Sequence, residues 1–190
     1  MIEHIKAVLA ARPKQTLPVN DLKPAAVTVP LFLKEGEWHI LLTRRTQEVR
    51  HHKGEISFPG GAVDKEDASL LEAALRETEE EVGIRKTDIT VLGELDDIQT
   101  LSRFRISPFV ITFPYPYPFQ VCRAEIDEML EISLPGLQTS ARLEEKTAEY
   151  EGRGAKVYYY YYHSVVIWGA TAKILKQLLD LVDFRRNGTA

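Results

Sequence analysis

The sequence predicts one mixed α+β domain, and three observations support that fold class. The 190 residues, of which 44% are hydrophobic, can bury one substantial core. Segments with strand-like and helix-like apolar patterns follow one another without the regular strand–helix–strand alternation of a parallel α/β fold. No repeat, low-complexity linker or change of composition marks a second domain. We therefore expect a mixed α+β sandwich.

The predicted elements are of ordinary length. Apolar residues at helical spacing predict helices, and β-rich runs bounded by turn residues predict strands. In chain order they are a helix over 2–11, strands over 25–33 and 39–43, a helix between Ser69 and Gly83, strands over 90–95 and 105–113, a helix over 125–131, a strand over 157–162 and a helix over 169–183.

Turn residues and prolines set several of these boundaries. Glu35-Gly36-Glu37 predicts the turn between the first two strands. The segment 113–119 alternates aromatic residues with prolines, which lack the backbone donor of a central strand, so we expect an extended loop. The tyrosines of 157–162 would alternate between the faces of a strand. For both aromatic segments, packing in the core or on an edge strand is favoured over stacking on a substrate base. The secondary structure of 131–135 is ambiguous.

The helix between Ser69 and Gly83 has signals at both ends. Asp67 or Ser69 can act as the N-cap, and Ser69 has the spacing of a capping box with Glu72. Gly83 fits the C′ position. At about 100° per residue, an apolar stripe would face the core and three glutamates would lie opposite. The stripe comprises Leu71, Leu75, Thr78 and Val82, and the opposite side carries Glu77, Glu80 and Glu81.

Three glutamates on one helix face are unfavourable unless a cation binds them. Glu77, Glu80 and Glu81 repel one another by roughly 0.2–0.5 kcal/mol per pair, and the last turn of a helix disfavours acids. A hard divalent cation such as Mg²⁺ or Mn²⁺, which takes oxygen ligands, removes both penalties. A solvated acidic helix end is the alternative. The glycines of Phe58-Pro59-Gly60-Gly61 favour the metal site, because they let a backbone carbonyl approach the carboxylates.

These residues carry a family resemblance. The chain resembles the Nudix box, a glycine followed at a fixed distance by R-E-U-x-E-E-x-G-U, at Gly61, Arg76-Glu77, Glu80-Glu81 and Gly83-Ile84. Three positions depart from the box: Gly61 lies fifteen residues before Arg76, one more than is common, Asp67 replaces a glutamate, and Thr78 replaces an aliphatic residue. The resemblance implies an α/β/α Nudix fold with a mixed β-sheet, and hydrolysis of a nucleoside diphosphate linked to another group.

The upstream residues narrow the resemblance. They are similar to the signature of the coenzyme A diphosphatase branch, in which the longer spacing is common, at Leu41-Leu42-Thr43, Arg45-Thr46, Arg50, Gly54 and Phe58-Pro59-Gly60-Gly61. Softer matches cover most of residues 25 to 182. We therefore divide the chain into an N-terminal helix and lead-in at 1–24, a hydrolase domain at 25–184 and a tail at 185–190.

The resemblance also implies roles for individual residues. Glu77, Glu80, Glu81 and the Gly61 carbonyl would hold Mg²⁺ or Mn²⁺. Arg76 would orient one of these glutamates, with an i, i+4 ion pair to Glu72 or Glu80 as the simpler alternative. Candidates for the general base are Glu125, which we place at the start of a helix, and the pair Asp96-Asp97. Residues predicted to contact substrate are Arg44, Arg45, Arg50, Gly54 and Phe58, in a basic run that suits phosphate oxygens.

Composition excludes several other classes. The net charge of −4 gives no basic field for nucleic acid, and no P-loop motif is present. Cys122 is the only cysteine, which excludes an internal disulfide and argues against a zinc site. No signal peptide or membrane span is indicated, so we expect a cytoplasmic protein. The exposed aromatic residues would allow a homodimer, although no pattern requires one.

The sequence thus predicts a Mg²⁺- or Mn²⁺-dependent hydrolase. Its expected substrate is CoA or a CoA derivative, cut to 3′,5′-ADP and a 4′-phosphopantetheine product. One alternative is a Nudix enzyme of other specificity, acting on ADP-ribose, another nucleoside diphosphate derivative or a nucleoside triphosphate. Another is a catalytically silent domain that binds a nucleotide or a protein partner.

Overall fold

The computed structural model describes residues 1–18, 21–48, 53–150 and 153–185. In these ranges the helices are α1 (Ile2–Ala10), α2 (Leu70–Val82), α3 (Leu134–Ser140) and α4 (Gly169–Leu181), with a single 3₁₀ turn at Lys86–Asp88. The strands are β1 (Lys23–Lys34), β2 (Glu37–Arg45), β3 (Ile56–Ser57), β4 (Gly60–Ala62), β5 (Thr90–Glu94), β6 (Ile98–Gln99), β7 (Phe104–Thr112), β8 (Ile126–Ser133), β9 (Arg142–Tyr150), β10 (Arg153–Tyr162) and β11 (Val165–Trp168).

Strand β1 is the centre of a mixed sheet, which contains eight strands within the described residues. It pairs in parallel with β7 along one edge, from Lys23 opposite Phe104 to Leu31 opposite Thr112. Along its other edge it pairs antiparallel first with the short β4 and then with β2. The sheet continues on both sides of these strands. Strands β3 and β8 pair with β2, and strands β5 and β6 pair with β7. The short β4 brings Gly61 next to Ala26 of the central strand.

Helices cover both faces of this sheet. Helix α2 lies on one face, where Ala73 and Ala74 pack with Ala26 and Phe109. On the other face the main core joins residues of α1, α3 and α4 to alternate residues of β1 and β2. The observed layers confirm the predicted α+β class and the α/β/α arrangement.

A smaller antiparallel sheet, of order β11–β10–β9, packs beside α4. Tyr160 of β10 is buried in the main core, whereas Tyr159 stacks with Tyr161 and with Trp168 on the outer face. The predicted strand over 157–162 is confirmed within β10. Strands β9 and β11 and helix α3 were not predicted.

Most predicted elements are confirmed, with one exception. The helix predicted over 125–131 is wrong, because the segment is strand β8, which pairs with β2 from His39 opposite Ser133 to Arg45 opposite Ile126. The segment 113–119 is a loop, as predicted, and its rings pack on Phe32 rather than standing open. Among the described residues, no helix has the length and apolar character needed to span a membrane.

Candidate functional site

Helix α2 is fixed at both ends and at its centre. The Ser69 hydroxyl accepts a hydrogen bond from the Glu72 amide, and Gly83 adopts a φ of 76°, so both predicted end signals are confirmed. At the centre, the Thr78 hydroxyl donates to the Ala74 carbonyl and lies 2.7 Å from the hydroxyl of Thr28 on β1. The direction of α2 over the central strand is therefore set by buried polar contacts as well as by packing.

Gly61 lies directly against the carboxylate of Glu77. A Cβ at Gly61 would fall 2.8 Å from both Cδ and Oε1 of Glu77. Only a glycine leaves room for this approach, which puts the backbone of β4 beside an acidic side chain. Burial raises the pKa of Glu77, although Arg76 beside it acts in the opposite direction. Gly61 and Glu77, predicted to act together, are thus in contact.

Arg76 is held between two sets of carboxylates. Asp67 accepts two hydrogen bonds of 3.0 Å from the guanidinium, at Nε and Nη2. The remaining nitrogen, Nη1, donates to Glu77 Oε1 at 2.9 Å and to Glu80 Oε2 at 3.0 Å. Arg76 therefore makes the predicted pair with Glu80 and also contacts Glu77, whereas Glu72 pairs with Lys86 instead. The hydrogen bonds from Arg76 lower the pKa of Asp67.

Glu81 differs from its predicted environment. We expected it on the solvent side of α2 with Glu77 and Glu80, yet its side chain is only 3% exposed, whereas that of Glu80 is 59% exposed. The reason is that β2 and β4 cover this side: the Gly60 amide donates to Glu81 Oε2 at 3.2 Å, and Arg45 Nη1 lies 3.3 Å from Oε1. Burial raises the pKa of Glu81 to about 8, against the opposing effects of Arg45 and Gly60.

Glu125 reaches this group from the loop before β8. Its carboxylate lies 3.5 Å from Arg45 Nη2, and its charge contributes to the raised pKa values of both Glu77 and Glu81. Two backbone bonds attach the preceding loop to the end of α2, from the Gln120 amide to the Val82 carbonyl and from the Cys122 amide to the Glu81 carbonyl. Glu125 therefore lies beside the carboxylates of α2, but at the start of a strand rather than of a helix.

The pair Asp96-Asp97, the other candidate for the base, has different contacts. Asp96 accepts hydrogen bonds from Arg12 and from the Gln15 amide. Asp97 accepts from the Leu17 amide and from Ser107 on β7. Because β7 lies on the opposite edge of β1 from β4, these acids are on the far side of the central strand from Gly61.

The residues predicted to contact substrate lie in different environments. Arg44 pairs with the exposed Glu128, Arg45 faces the carboxylates, and Gly54 adopts a φ of 67° in the turn after β2. Phe58 is 2% exposed and belongs to the main core, so its side chain offers no surface to a substrate. Arg50 lies outside the described residues.

Two residues of the site were not assigned a role from the sequence. The sequence indicates Asp67 as a helix cap or as a departure from the box, but not as the partner of Arg76. Only the spacing between the two residues could have suggested their bidentate pair. The Gly60 amide carries no sequence signal for its bond to Glu81. Among the described residues, no three His, Cys, Asp or Glu side chains converge as a metal-binding group, and arginines contact Glu77, Glu80 and Glu81.

Comparisons with known proteins concern the whole chain. The NUDIX domain family matches residues 22–131. A protein of Enterobacter sp. (strain 638) named "Uncharacterized Nudix hydrolase NudL" is 34% identical over 167 residues, covering 88% of this chain and 86% of that protein. A protein of the same name from Salmonella typhimurium shows the same identity and coverage.

Solved structures show the same fold. A MutT/nudix family protein from Enterococcus faecalis superposes with a TM-score of 0.53 at 12% identity, covering 94% of this chain and 72% of that one. A C. elegans Ap4A hydrolase gives a TM-score of 0.51 at 22% identity, covering 58% of this chain and 80% of that one. At these identities the likeness concerns the fold alone.

Proposed function

Because this chain belongs to the Nudix hydrolase family, we propose that it hydrolyses the diphosphate linkage of CoA or a CoA derivative in a divalent-metal-dependent reaction. Nudix enzymes bind nucleotide-like small molecules and generally use divalent metals. The observation that carries the proposal is the contact of Gly61 with Glu77, beside an Arg76 that also holds Glu80. This arrangement places a glycine backbone and several carboxylates at one end of α2.

The donor atoms are of the kind that a hard divalent cation takes, although the carboxylates contact arginines in this structure. The donors at hand are carboxylate oxygens and a backbone carbonyl, and the missing side chain at Gly61 keeps that backbone within reach of Glu77. In the proposal, Glu77, Glu80, Glu81 and the Gly61 carbonyl hold Mg²⁺ or Mn²⁺. A bound ion supplies charge neutralisation at the diphosphate and stabilises the leaving phosphate.

Arg76 and Glu125 have separate roles in this proposal. Asp67 holds two nitrogens of Arg76, so the third is directed at Glu77 and Glu80 and orients both carboxylates. Water attacks one phosphorus of the diphosphate, the bridging P–O bond breaks, and a carboxylate oxygen of Glu125 accepts the proton of the water. Glu125 is favoured as the base because it is 48% exposed beside the site, whereas Asp96 and Asp97 have structural partners.

The CoA specificity rests on the upstream motif. Among its predicted substrate residues, Arg44 and Gly54 lie at the end of β2 and in the turn that follows, close in the chain to Arg45. Arg50 stays a prediction. The alternative substrates are ADP-ribose, another nucleoside diphosphate derivative or a nucleoside triphosphate, and the homodimer likewise stays a prediction.

A substrate panel tests the proposal. CoA, ADP-ribose, NADH and a nucleoside triphosphate are incubated with Mg²⁺ or Mn²⁺, and the products are identified by mass spectrometry. We expect 3′,5′-ADP from CoA at the highest rate, and almost no product from the Glu80→Gln variant. Faster turnover of another substrate would replace the CoA assignment. Metal-dependent turnover of none would favour a silent binding domain, and full activity of Glu80→Gln would contradict the metal site.

A further inference from the structure

Arg45 at the end of β2 and Thr46 after it contact the side chain and the backbone of Glu125, respectively. Thr46 follows β2 directly and donates two hydrogen bonds to the loop before β8. Its backbone amide donates to the Glu125 carbonyl at 2.8 Å, and its hydroxyl donates to the Ala124 carbonyl at 3.2 Å. Both bonds fix the backbone at Ala124 and Glu125. Thr46 therefore helps to set the position of the Glu125 backbone, from which its side chain extends.

Arg45 contacts the same glutamate through its side chain. Nη2 lies 3.5 Å from Glu125 Oε2, and Nη1 lies 3.3 Å from Glu81 Oε1. The guanidinium therefore bridges one carboxylate of α2 and one of the β8 loop. Its own backbone is fixed as well, because its amide donates to the Glu55 carbonyl and its carbonyl accepts from Gly54.

The charges explain why such a bridge is needed. Glu81 and Glu125 are both acidic, and the two carboxylates repel each other whenever both are ionised. A guanidinium between them offsets the repulsion and, through its planar fork, sets their relative position. A lysine ammonium could reach one carboxylate but would not span both with the same geometry.

We propose that Arg45 and Thr46 are positioning residues that hold Glu125 beside Glu81, and that Arg45 is not a ligand of the substrate phosphates. This inference rests on the proposed function, because it concerns the working position of the proposed base. It also reassigns part of the upstream motif, since a segment expected to contact substrate acts on the carboxylates instead.

A kinetic double-mutant cycle tests the role of Arg45. Arg45→Gln is expected to lower kcat at least about tenfold while KM changes less than about threefold, because the substrate contacts are retained. If Arg45 acts through Glu125, adding Arg45→Gln to the Glu125→Gln variant should lower kcat less than about twofold relative to Glu125→Gln alone. A KM raised more than about tenfold in Arg45→Gln at unchanged kcat would identify Arg45 as a phosphate ligand and overturn the proposal. The proposal would also be overturned if the two substitutions lowered kcat independently, so that their effects multiplied, or if Glu125→Gln kept full activity.

Thr46 allows a conservative rescue. Thr46→Val keeps the shape and the backbone amide but removes the hydroxyl that bonds to Ala124. Thr46→Ser restores that hydroxyl. We expect a loss of kcat in Thr46→Val and its recovery in Thr46→Ser, whereas equal losses in both variants would overturn this part of the proposal.

Cys122 provides a readout that needs neither substrate nor metal. It is the only cysteine of the chain, it is partly exposed, and its carbonyl accepts hydrogen bonds from the Glu125 and Ile126 amides. If the loop loosens, alkylation of this thiol by a maleimide should accelerate in metal-free protein. We expect at least an approximately threefold faster rate in Arg45→Gln and in Thr46→Val, but not in Thr46→Ser.

Lys34→Gln is a matched control. Lys34 pairs with Glu131, an acid of β8 that lies towards the end of that strand away from Glu125. Lys34→Gln removes one positive charge, as Arg45→Gln does, so kcat, KM and the alkylation rate are all expected to stay within about twofold of the wild type.

If the wild type hydrolyses none of the panel, the proposed function fails, and the Cys122 alkylation rates still decide whether Arg45 and Thr46 hold the loop. Unchanged rates in both variants would overturn the proposal.

Discussion

Glu81 is the residue at which stability and the proposed chemistry conflict most directly. It is almost fully buried, and one arginine and one backbone amide contact its carboxylate. Such a group loses its hydration on folding, and burial therefore raises its pKa to about 8. The protein keeps an acid where a neutral side chain of the same shape would be more stable. A cation bound there would reverse this preference.

Glu81→Gln is therefore expected to stabilise the metal-free protein in a pH-dependent manner. The pKa of Glu81 is higher in the folded protein than the ordinary 4.5, so folding takes up a proton between these values and stability falls as the pH rises from about 4.5 to about 8. The variant lacks this loss. Its free energy of unfolding in EDTA should exceed that of the wild type at pH 8 by on the order of a few kcal/mol, with a smaller difference at pH 5.

Urea unfolding at the two pH values measures this difference. Glu79→Gln is the control, because Glu79 is an exposed glutamate on the same helix. Its effect should be small and the same at both pH values. A stability difference between Glu81→Gln and the wild type that does not change with pH would contradict the raised pKa.

At the scale of elements, local signals predict α2 well and β8 badly. Ser69 and Gly83 are end signals that depend only on neighbouring residues, so the sequence suffices to place α2. In β8, Ile126, Met129 and Leu130 have helical spacing, which led to the wrong helix. The free edge of β2 decides the outcome, because its backbone groups pair with those of β8 along the strand. A partner so distant in sequence is not visible in a local pattern.

Alanine substitutions at the two adjacent glycines of β4 should have different effects, one on activity and the other on the stability of the sheet. Gly61→Ala puts a Cβ against the Glu77 carboxylate, which can move, so the fold should be retained while metal-dependent activity falls at least about tenfold. Gly60→Ala puts its Cβ against the Ala26 carbonyl at a φ of 144°, so the sheet itself must shift. Circular dichroism melts and activity assays of both variants separate the effects. A Gly61→Ala variant with normal activity would contradict the close approach.

The hydroxyl pair between α2 and β1 predicts non-additive changes in stability. The Thr78 hydroxyl donates to Ala74, so the hydroxyl of Thr28 must donate to Thr78. Thr78→Val leaves that buried donor without an acceptor and should cost about 1–3 kcal/mol in the free energy of unfolding. Replacing both residues with valine removes donor and acceptor together, so the double variant should be more stable than Thr78→Val. Urea titrations give the three values, and additive losses would refute the paired arrangement.

At the scale of the whole molecule, α1 is packed into the main core of the chain. Ile5 and Leu9 are buried in the main core, and a Cβ at Gly93 of β5 would meet Leu9. The segment after α1 continues this attachment through Arg12 with Asp96 and Lys14 with Asp97. The sequence predicts the helix from its own pattern, but its packing partners lie about 80 residues away.

Ile5→Ala measures this attachment. Truncating a fully buried isoleucine should lower the free energy of unfolding of the whole protein by about 2–5 kcal/mol, with one cooperative transition. His4→Ala, at an exposed position of the same helix, should change it by less than about 0.5 kcal/mol. Guanidinium titrations followed by tryptophan fluorescence compare the three proteins. A separate early transition in Ile5→Ala would show that α1 unfolds independently of the domain.

The candidate site was only partly predictable for a similar reason. The acidic face of α2 and Gly61 follow from spacing within one motif, whereas the bridge from Arg45 to Glu81 and Glu125 joins three separate segments. Arg45 was assigned to substrate because an arginine in a basic run suits phosphate. In the fold its guanidinium lies beside two acids, Glu81 and Glu125, whose proximity depends on the sheet and is not visible in the basic run.

The attachment of the 119–125 loop to α2 has a consequence for heat inactivation. Amides of Gln120 and Cys122 bond to carbonyls of the last helical turn, and the same loop leads to Glu125. That turn cannot unwind without releasing the loop, so fraying of the helix end and dispersal of the acidic groups are one event. Warming would then end activity in a single step, when the turn opens and the loop is released with it.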